Sequence, residues 1–480
     1  MTFTKSFLLG SSAALMGVAA AQAADLPSRK AAPVEYVRVC DAYGRGFFYI
    51  PGTDTCIRIG GRVRADYAFS ERGNVFNAGT INRTTGVLTN TVSSLGAVQS
   101  THGFEGRGRI SFDTRTQTAW GVVQATATLR MSRSTGTLQA TNGNPTSDTG
   151  STGSTLESAY VRFAGFTFGI ARDNFAYMPS RMYGAGHWGS FANGAMQLAY
   201  THSFGGGLSA TVAIQDRGYT TNGGQASSWF NGGVLVGAPT VITSNYEGLP
   251  QFNARIDWQQ SWGDLSLSGA IGQANGVTSA TSSAFDVNKT VWAVGAGAKF
   301  NLPMISAGDA LWLTAAYADG MTEYTTNWTY FKSSDTRRNV NGFVVNHPSW
   351  VYFAAPNRIE TVKSWNVAAL FDHFWTPQWR STLMGSYGQV MMPGSADLAP
   401  FSSTVGGDAK MWNVAHQIAW LPTRDFEIGF ELIYSRVSQD VRRTGVGGGA
   451  LFCGTGNLAS CVTRESTDGI TGRLRVERNF

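Results

Sequence analysis

Arginine recurs at alternate positions in three separated stretches of this 480-residue chain. Arg58, Arg62 and Arg64 share a parity with Asp66, Arg107 and Arg109 share one with Glu105 and Asp113, and Arg473 and Arg475 share one with Glu477. Arg130 takes the polar phase of the next alternating segment. Residues two apart leave an extended strand on the same face, so this spacing collects guanidinium and carboxylate groups on one side. Guanidinium stays charged at any working pH. Carboxylates set between such groups hold them apart and moderate their charge, leaving a permanent surface that draws anions.

Other chemistry has less support. The histidines His102, His187, His202, His347, His373 and His416 are scattered, and the chain has no Gly-x-Ser-x-Gly elbow, His-Glu-x-x-His helix or P-loop. His202 and His416 are candidates for a barrel-embedded hydrolase. Both fall in phase with oily neighbours, Tyr200 and Phe204 for the first, Val414 and Ile418 for the second, which suits a membrane-facing position better. No enzyme, cofactor or metal is expected. Cysteine occurs as two close pairs, Cys40 with Cys56 and Cys453 with Cys461. An even count in an exported chain suggests disulfides. Zinc is the alternative, but no histidine lies near either pair and the spacings are not those of zinc knuckles.

Export is indicated by Lys5, the apolar run from Phe7 to about Ala20, and Ala21-Gln22-Ala23. These are the parts of a secretory signal peptide with an A-x-A cleavage site, and the run is shorter than the roughly 20 residues an inner-membrane anchor needs. The expected division is a signal peptide over 1–23, a periplasmic N-terminal segment over 24–56 and a transmembrane barrel over 57–480. The net charge of +6 does not point to nucleic acid, because the basic residues are spread through strands instead of forming a tail.

The elements that position the arginines alternate oily and polar residues. Ile59, Val63, Ala65, Tyr67 and Phe69 oppose the first arginine set, Phe104, Ile110 and Phe112 the second, and Ile470, Leu474, Val476 and the terminal Phe480 the last. Val123, Ala125, Ala127 and Leu129 alternate with Gln124, Thr126, Thr128 and Arg130. Aromatic content is 12%, charged content 14% and glycine 58 residues. Outer-membrane barrels hide their membrane signal in this way, because lipid-facing and lumen-facing residues alternate.

Short turns are expected near Thr114 to Thr118, Ala164-Gly165, Gly205 to Gly207, Trp262-Gly263, Asn301 to Asp309, Thr376-Pro377 and Pro422 to Arg424. Long connections rich in Gly, Ser, Thr and Asn include Ser70 to Thr101, Arg133 to Thr155, Arg217 to Pro250, Gly320 to Glu360 and Gln439 to Glu465. The tally is about sixteen antiparallel strands with both ends on the periplasmic side. A soluble β-sandwich would also alternate, but its outward faces should be rich in lysine. Here arginine dominates, and aromatics such as Tyr67, Trp120, Trp258, Trp379, Trp412, Trp420 and Tyr434 gather near strand ends as interfacial girdles do.

The stretch from Ala24-Asp25-Leu26-Pro27 through Pro33-Val34-Glu35-Tyr36-Val37, Cys40-Asp41-Ala42-Tyr43-Gly44, Gly46-Phe47-Phe48-Tyr49-Ile50-Pro51-Gly52-Thr53-Asp54-Thr55-Cys56 and Gly60-Gly61 resembles the alphaproteobacterial general porins. Ala164-Gly165-Phe166-Thr167-Phe168-Gly169 and Phe480 fit the same family. The resemblance implies an all-β fold, a sixteen-stranded transmembrane antiparallel β-barrel in the bacterial outer membrane, assembled as a homotrimer, with its third loop folded into a water-filled lumen.

By its order, the third long connection, from Ala171 to about Gly194, matches the constriction loop. Its candidate residues are Arg172, Asp173, Arg181, Tyr183 and His187; an ordinary surface loop is the alternative. The Pro-Glu-Phe-Gly-Gly motif of enterobacterial porin loops does not occur in it. Closing the barrel would bring Arg473 and Arg475 beside Arg58, Arg62 and Arg64, and these beside Arg107 and Arg109, as one arginine wall. The expected function is passive passage of small hydrophilic solutes and ions with a weak anion preference. A solute-specific channel, or an adhesin or structural outer-membrane protein, is the alternative. Expected partners are membrane lipid and lipopolysaccharide, whose phosphates are a second possible destination for the arginines.

Overall fold

The computed structural model describes residues 38–70, 79–81, 88–90, 102–138, 151–179, 181–184, 194–216, 241–243, 250–280, 283–325, 351–355, 358–391, 404–443 and 461–480. The chain divides into two compact units, Met1–Cys56 and Ile57–Phe480. In the first, Cys40 and Cys56 are joined by a disulfide. Both cysteines are buried with Phe47, and Tyr43 and Tyr49 pack against them. The Cys40 N–H donates to the Phe47 carbonyl at 3.0 Å and the Ile50 N–H to the Thr55 carbonyl at 2.9 Å. The covalent bond therefore closes a small core of aromatic and sulfur groups.

In the second unit sixteen antiparallel strands form a closed ring. They are β1 Thr55–Ser70, β2 His102–Thr118, β3 Gly121–Ser134, β4 Ser151–Phe163, β5 Phe166–Arg172, β6 Gly194–Gly205, β7 Leu208–Gln215 and β8 Gln251–Gln260. The ring continues through β9 Gly263–Ala280, β10 Ser283–Asn301, β11 Ala310–Asp319, β12 Lys363–Thr376, β13 Trp379–Met391, β14 Thr404–Thr423, β15 Phe426–Arg443 and β16 Cys461–Asn479. Each strand pairs with the next, and β16 returns to β1 in the register Arg64↔Glu477, Asp66↔Arg475 and Ala68↔Arg473. The seam is completed by Phe480, which exchanges backbone hydrogen bonds of 2.9 and 3.0 Å with Gly61. Its ring lies where a side chain at Gly61 would stand. Closure leaves no edge strand among the described residues, which a sheet in lipid requires.

The alternation resolves as an oily exterior and a polar interior. Ile59 and Val63 of β1, Phe104 and Ile110 of β2, Val212 and Ile214 of β7, Leu265 and Leu267 of β9, and Phe430 and Leu432 of β15 are exposed. Arg64, Asp66, Asp113, Gln197, Asn253, Asn413, Gln417, Glu431 and Arg475 are buried. A soluble sandwich would reverse this order. His202 and His416 stand on the outward face, and both are exposed. Trp258 packs edge-on to Trp262, and Trp379 stacks on Trp420 across β13 and β14.

Two connections depart from the sequence reading. The first short turn falls at Ala119-Trp120, after a strand that runs on through Thr118, so Thr114 to Thr118 belongs to β2. Threonine and glutamine are good strand residues on a half-polar face, and polarity alone misplaces the turn. The connection between β9 and β10 is among neither the short turns nor the long connections expected above, and the two strands pair all the way to Ala280↔Ser283.

Candidate functional site

The described residues of the third long connection fold inward. Where β5 ends, Asp173 accepts the Phe175 N–H at 2.7 Å, turning the chain into the lumen. Arg255 of β8 donates to the Ala176 carbonyl at 2.9 Å, and Ser268 of β9 to the Phe175 carbonyl at 3.1 Å. The Tyr177 hydroxyl donates to the Asp264 carbonyl at 3.3 Å. Met178 and Met182 are buried with Trp312 of β11, Leu370 of β12, Met384 of β13, Ala415 of β14 and Ile433 of β15. Arg181 meets Asp372 of β12 at 3.1 Å, while its carbonyl accepts from Gln417 of β14 at 3.1 Å.

The far end of the described loop is held by β15 and β16. The buried carboxylate of Glu431 accepts the N–H groups of Tyr183 and Gly184, each at 2.6 Å. Arg473 donates to the Tyr183 carbonyl at 2.7 Å, and the Arg475 guanidinium lies 4.2 Å from the centre of the Tyr183 ring. The Tyr183 hydroxyl hydrogen-bonds Glu427. Burial, then the neighbouring Glu427, pushes that hydroxyl's pKa well above the ordinary tyrosine value. Two N–H groups aimed at one carboxylate make charge-assisted bonds, stronger than neutral ones.

The paired arginines of the wall lie on β1, β2, β3 and β16. Arg58 and Arg115 reach Asp113 at 3.4 and 2.9 Å, Arg62 reaches Glu477 at 3.4 Å, and Arg64 and Arg107 reach Glu105 at 3.3 and 2.8 Å. Arg109 and Arg130 share Glu157 at 2.6 and 3.2 Å. Asp66, with no exposed side-chain surface, takes a two-pronged bond from Arg475 at 2.7 and 2.9 Å and lies near Arg64 at 3.5 Å and Arg473 at 3.8 Å. The arginines outnumber the carboxylates they share, so the neutralisation is incomplete.

All the arginines and carboxylates expected on the wall come together on β1, β2, β3 and β16. Arg172, Asp173, Arg181 and Tyr183 lie on the inward loop or at its root, whereas His187 and the pairing of Cys453 with Cys461 lie outside the described residues. Sequence reasoning missed Arg115, Glu157, Glu427, Glu431 and Tyr324. Tyr324, in a connection read only as long and polar, packs on Phe175 with ring centres 4.2 Å apart and supports the loop from β11's side.

With this geometry in view, a sequence model described as porin subfamily matches residues 25–453. The chain belongs to the porin family. It is 32% identical to porin Omp2a of Brucella melitensis biotype 1 over 245 residues, which is 46% of this chain and 59% of that protein. It is 32% identical to porin Omp2b of Brucella suis biovar 1 over 235 residues, 45% of this chain and 56% of that one. The chain thus spans less than two thirds of the length of these relatives. The barrel is similar to the outer membrane channel DcaP of Acinetobacter baumannii, with a TM-score of 0.55 and 15% identity over 90% of this chain and 99% of that one. The location of this porin is the bacterial outer membrane.

Proposed function

We propose that this porin is a general diffusion channel that passes small hydrophilic solutes and ions without chemistry, cofactor or energy input, and that it prefers anions weakly. The observation that carries the reading is a closed barrel whose inward loop is fastened from β8 round to β16, where the arginine-rich wall of β16, β1, β2 and β3 begins. Permanent positive charge beside a narrowed aqueous path raises the local concentration of anions and lowers that of cations. Guanidinium groups fixed by carboxylates keep their places without losing their charge.

The same reading takes Arg58, Arg62, Arg64, Arg107, Arg109, Arg130, Arg473 and Arg475, with Asp66, Glu105, Asp113 and Glu477, as pore lining. It takes 1–23 as a signal peptide, 24–56 as a periplasmic segment, a homotrimer as the working assembly, and lipid and lipopolysaccharide as the surroundings. Swelling of proteoliposomes separates it from a solute-specific channel. Unrelated small sugars should all enter at rates ordered by size. Saturable entry of one sugar alone would contradict the reading.

A further inference from the structure

The lumen side of the barrel carries glycines where glycine is a poor strand residue. Gly295 and Gly297 face inward from β10, and Gly429 faces inward from β15. None has a positive φ among the described glycines, so backbone conformation does not demand them. Glycine in a strand interior weakens it and often marks close approach of another group. At each of them an aromatic ring of the inward loop approaches, joined at Gly295 by the Ser268 hydroxyl at 2.9 Å and at Gly429 by the Ile418 carbonyl at 3.0 Å. A side-chain carbon at Gly295 would stand 3.0 Å from the Phe175 ring, one at Gly297 would overlap the Tyr177 ring, and one at Gly429 would overlap the Tyr183 hydroxyl and stand 2.9 Å from its ring.

We infer that Gly295, Gly297 and Gly429 are positioning residues that set the bore of the channel, acting as seats that let the loop lie flat against β8–β15. The inference rests on the channel reading. The seats occur at both ends of the described loop, two near its root and one near its far end. Between them the loop is held by Arg181 on Asp372 and by the buried Met178 and Met182. A loop pinned at both ends shifts away from β10 or β15 when a seat there is filled, and the space it shifts into is the lumen. Filling a seat therefore narrows the channel.

The test is single-channel conductance in planar bilayers of the folded barrel, checked by far-ultraviolet circular dichroism. Gly297→Ala and Gly429→Ala should each lower conductance about twofold, because flow depends steeply on pore diameter. Gly385→Ala is the control, since a side chain there meets nothing nearer than the Asn413 carbonyl at 4.0 Å, and it should conduct as wild type. A double variant, Gly429→Ala with Tyr183→Ala, should conduct close to Tyr183→Ala alone, because the hydroxyl and ring that overlap the added methyl are gone and only the Ile418 carbonyl at 3.0 Å remains beside it. Unchanged or raised conductance in both glycine variants of a conducting protein would overturn the seats and leave the channel standing. Folded wild type that does not conduct would overturn both.

Discussion

Replacing Glu431 by glutamine tests whether the far end of the loop is latched. Glu431 has no exposed surface and accepts two N–H groups at 2.6 Å. Glutamine has nearly the same shape, but only one end can accept. The other presents NH2 to a backbone N–H, so one hydrogen bond is lost and two donors face each other. A hydrogen bond to a charged group contributes about 1.5–3 kcal/mol, and a buried donor left without a partner costs about 1–3 kcal/mol. Relief of carboxylate burial offsets part of this. A net loss of about 2 kcal/mol shifts the seated-to-released ratio of the loop roughly 30-fold. The barrel ladder is untouched, so far-ultraviolet circular dichroism should match wild type. Single-channel records should show brief high-conductance excursions about 30 times more populated than in wild type, by the same conversion. A record indistinguishable from wild type, with the protein folded, would refute the latch.

Three further outcomes follow from the same contacts. Asp66→Asn leaves the buried Arg475 and Arg64 without their shared carboxylate; it should cost about 3 kcal/mol of barrel stability in denaturant unfolding and increase anion preference by reversal potential. Converting Cys40 and Cys56 to serine removes a bond with sequence separation 16 and should cost the first unit about 3 kcal/mol. Faster proteolysis of that unit at unchanged channel conductance checks this. The Tyr183 hydroxyl, with its pKa raised by burial and Glu427, should remain protonated through the ordinary tyrosine range. Its contribution is fully present below the ordinary value of about 10 and is lost only as pH rises through the raised one. Comparing tyrosinate absorbance between wild type and Tyr183→Phe checks it, and an ordinary titration of the missing group would contradict it.

Much of the barrel is legible because period two leaves little choice. The parity that puts Arg58, Arg62 and Arg64 opposite Ile59 and Val63 is the parity of a strand with lipid on one side, and the β1–β16 seam follows once the ring is closed. That the third long connection turns inward was expected from its order and from the family resemblance. Two wall residues escaped for different physical reasons. Arg115 sits in a threonine-rich stretch that reads as a turn but continues β2. Glu157 is skipped between the pairs Thr128↔Ser158 and Leu129↔Leu156, and such a bulge re-aims its side chain, so simple alternation would send it to lipid.

The loop anchors are a harder case. Phe426, Ile428, Phe430 and Leu432 alternate with Glu427, Gly429 and Glu431, so inward carboxylates on β15 could be read from the sequence. Their partners could not. Tyr183 and Glu431 are 248 residues apart, and nothing local to either announces the other. The glycine seats are legible only after the fold is known, since glycine is common throughout this chain and only its facing ring distinguishes a seat.

Whether the arginine wall biases a passive channel is read by reversal potential in a planar bilayer under a salt gradient. Wild type should be compared with a variant carrying serine at Arg58, Arg62, Arg107 and Arg109. Stepwise conductance is expected, with an anion bias that falls in the variant and weakens in both at high salt, where the screening length shrinks to about 3 Å at 1 M. An unchanged bias in a conducting variant would contradict the role of the wall, and folded wild type without conductance would contradict the channel itself.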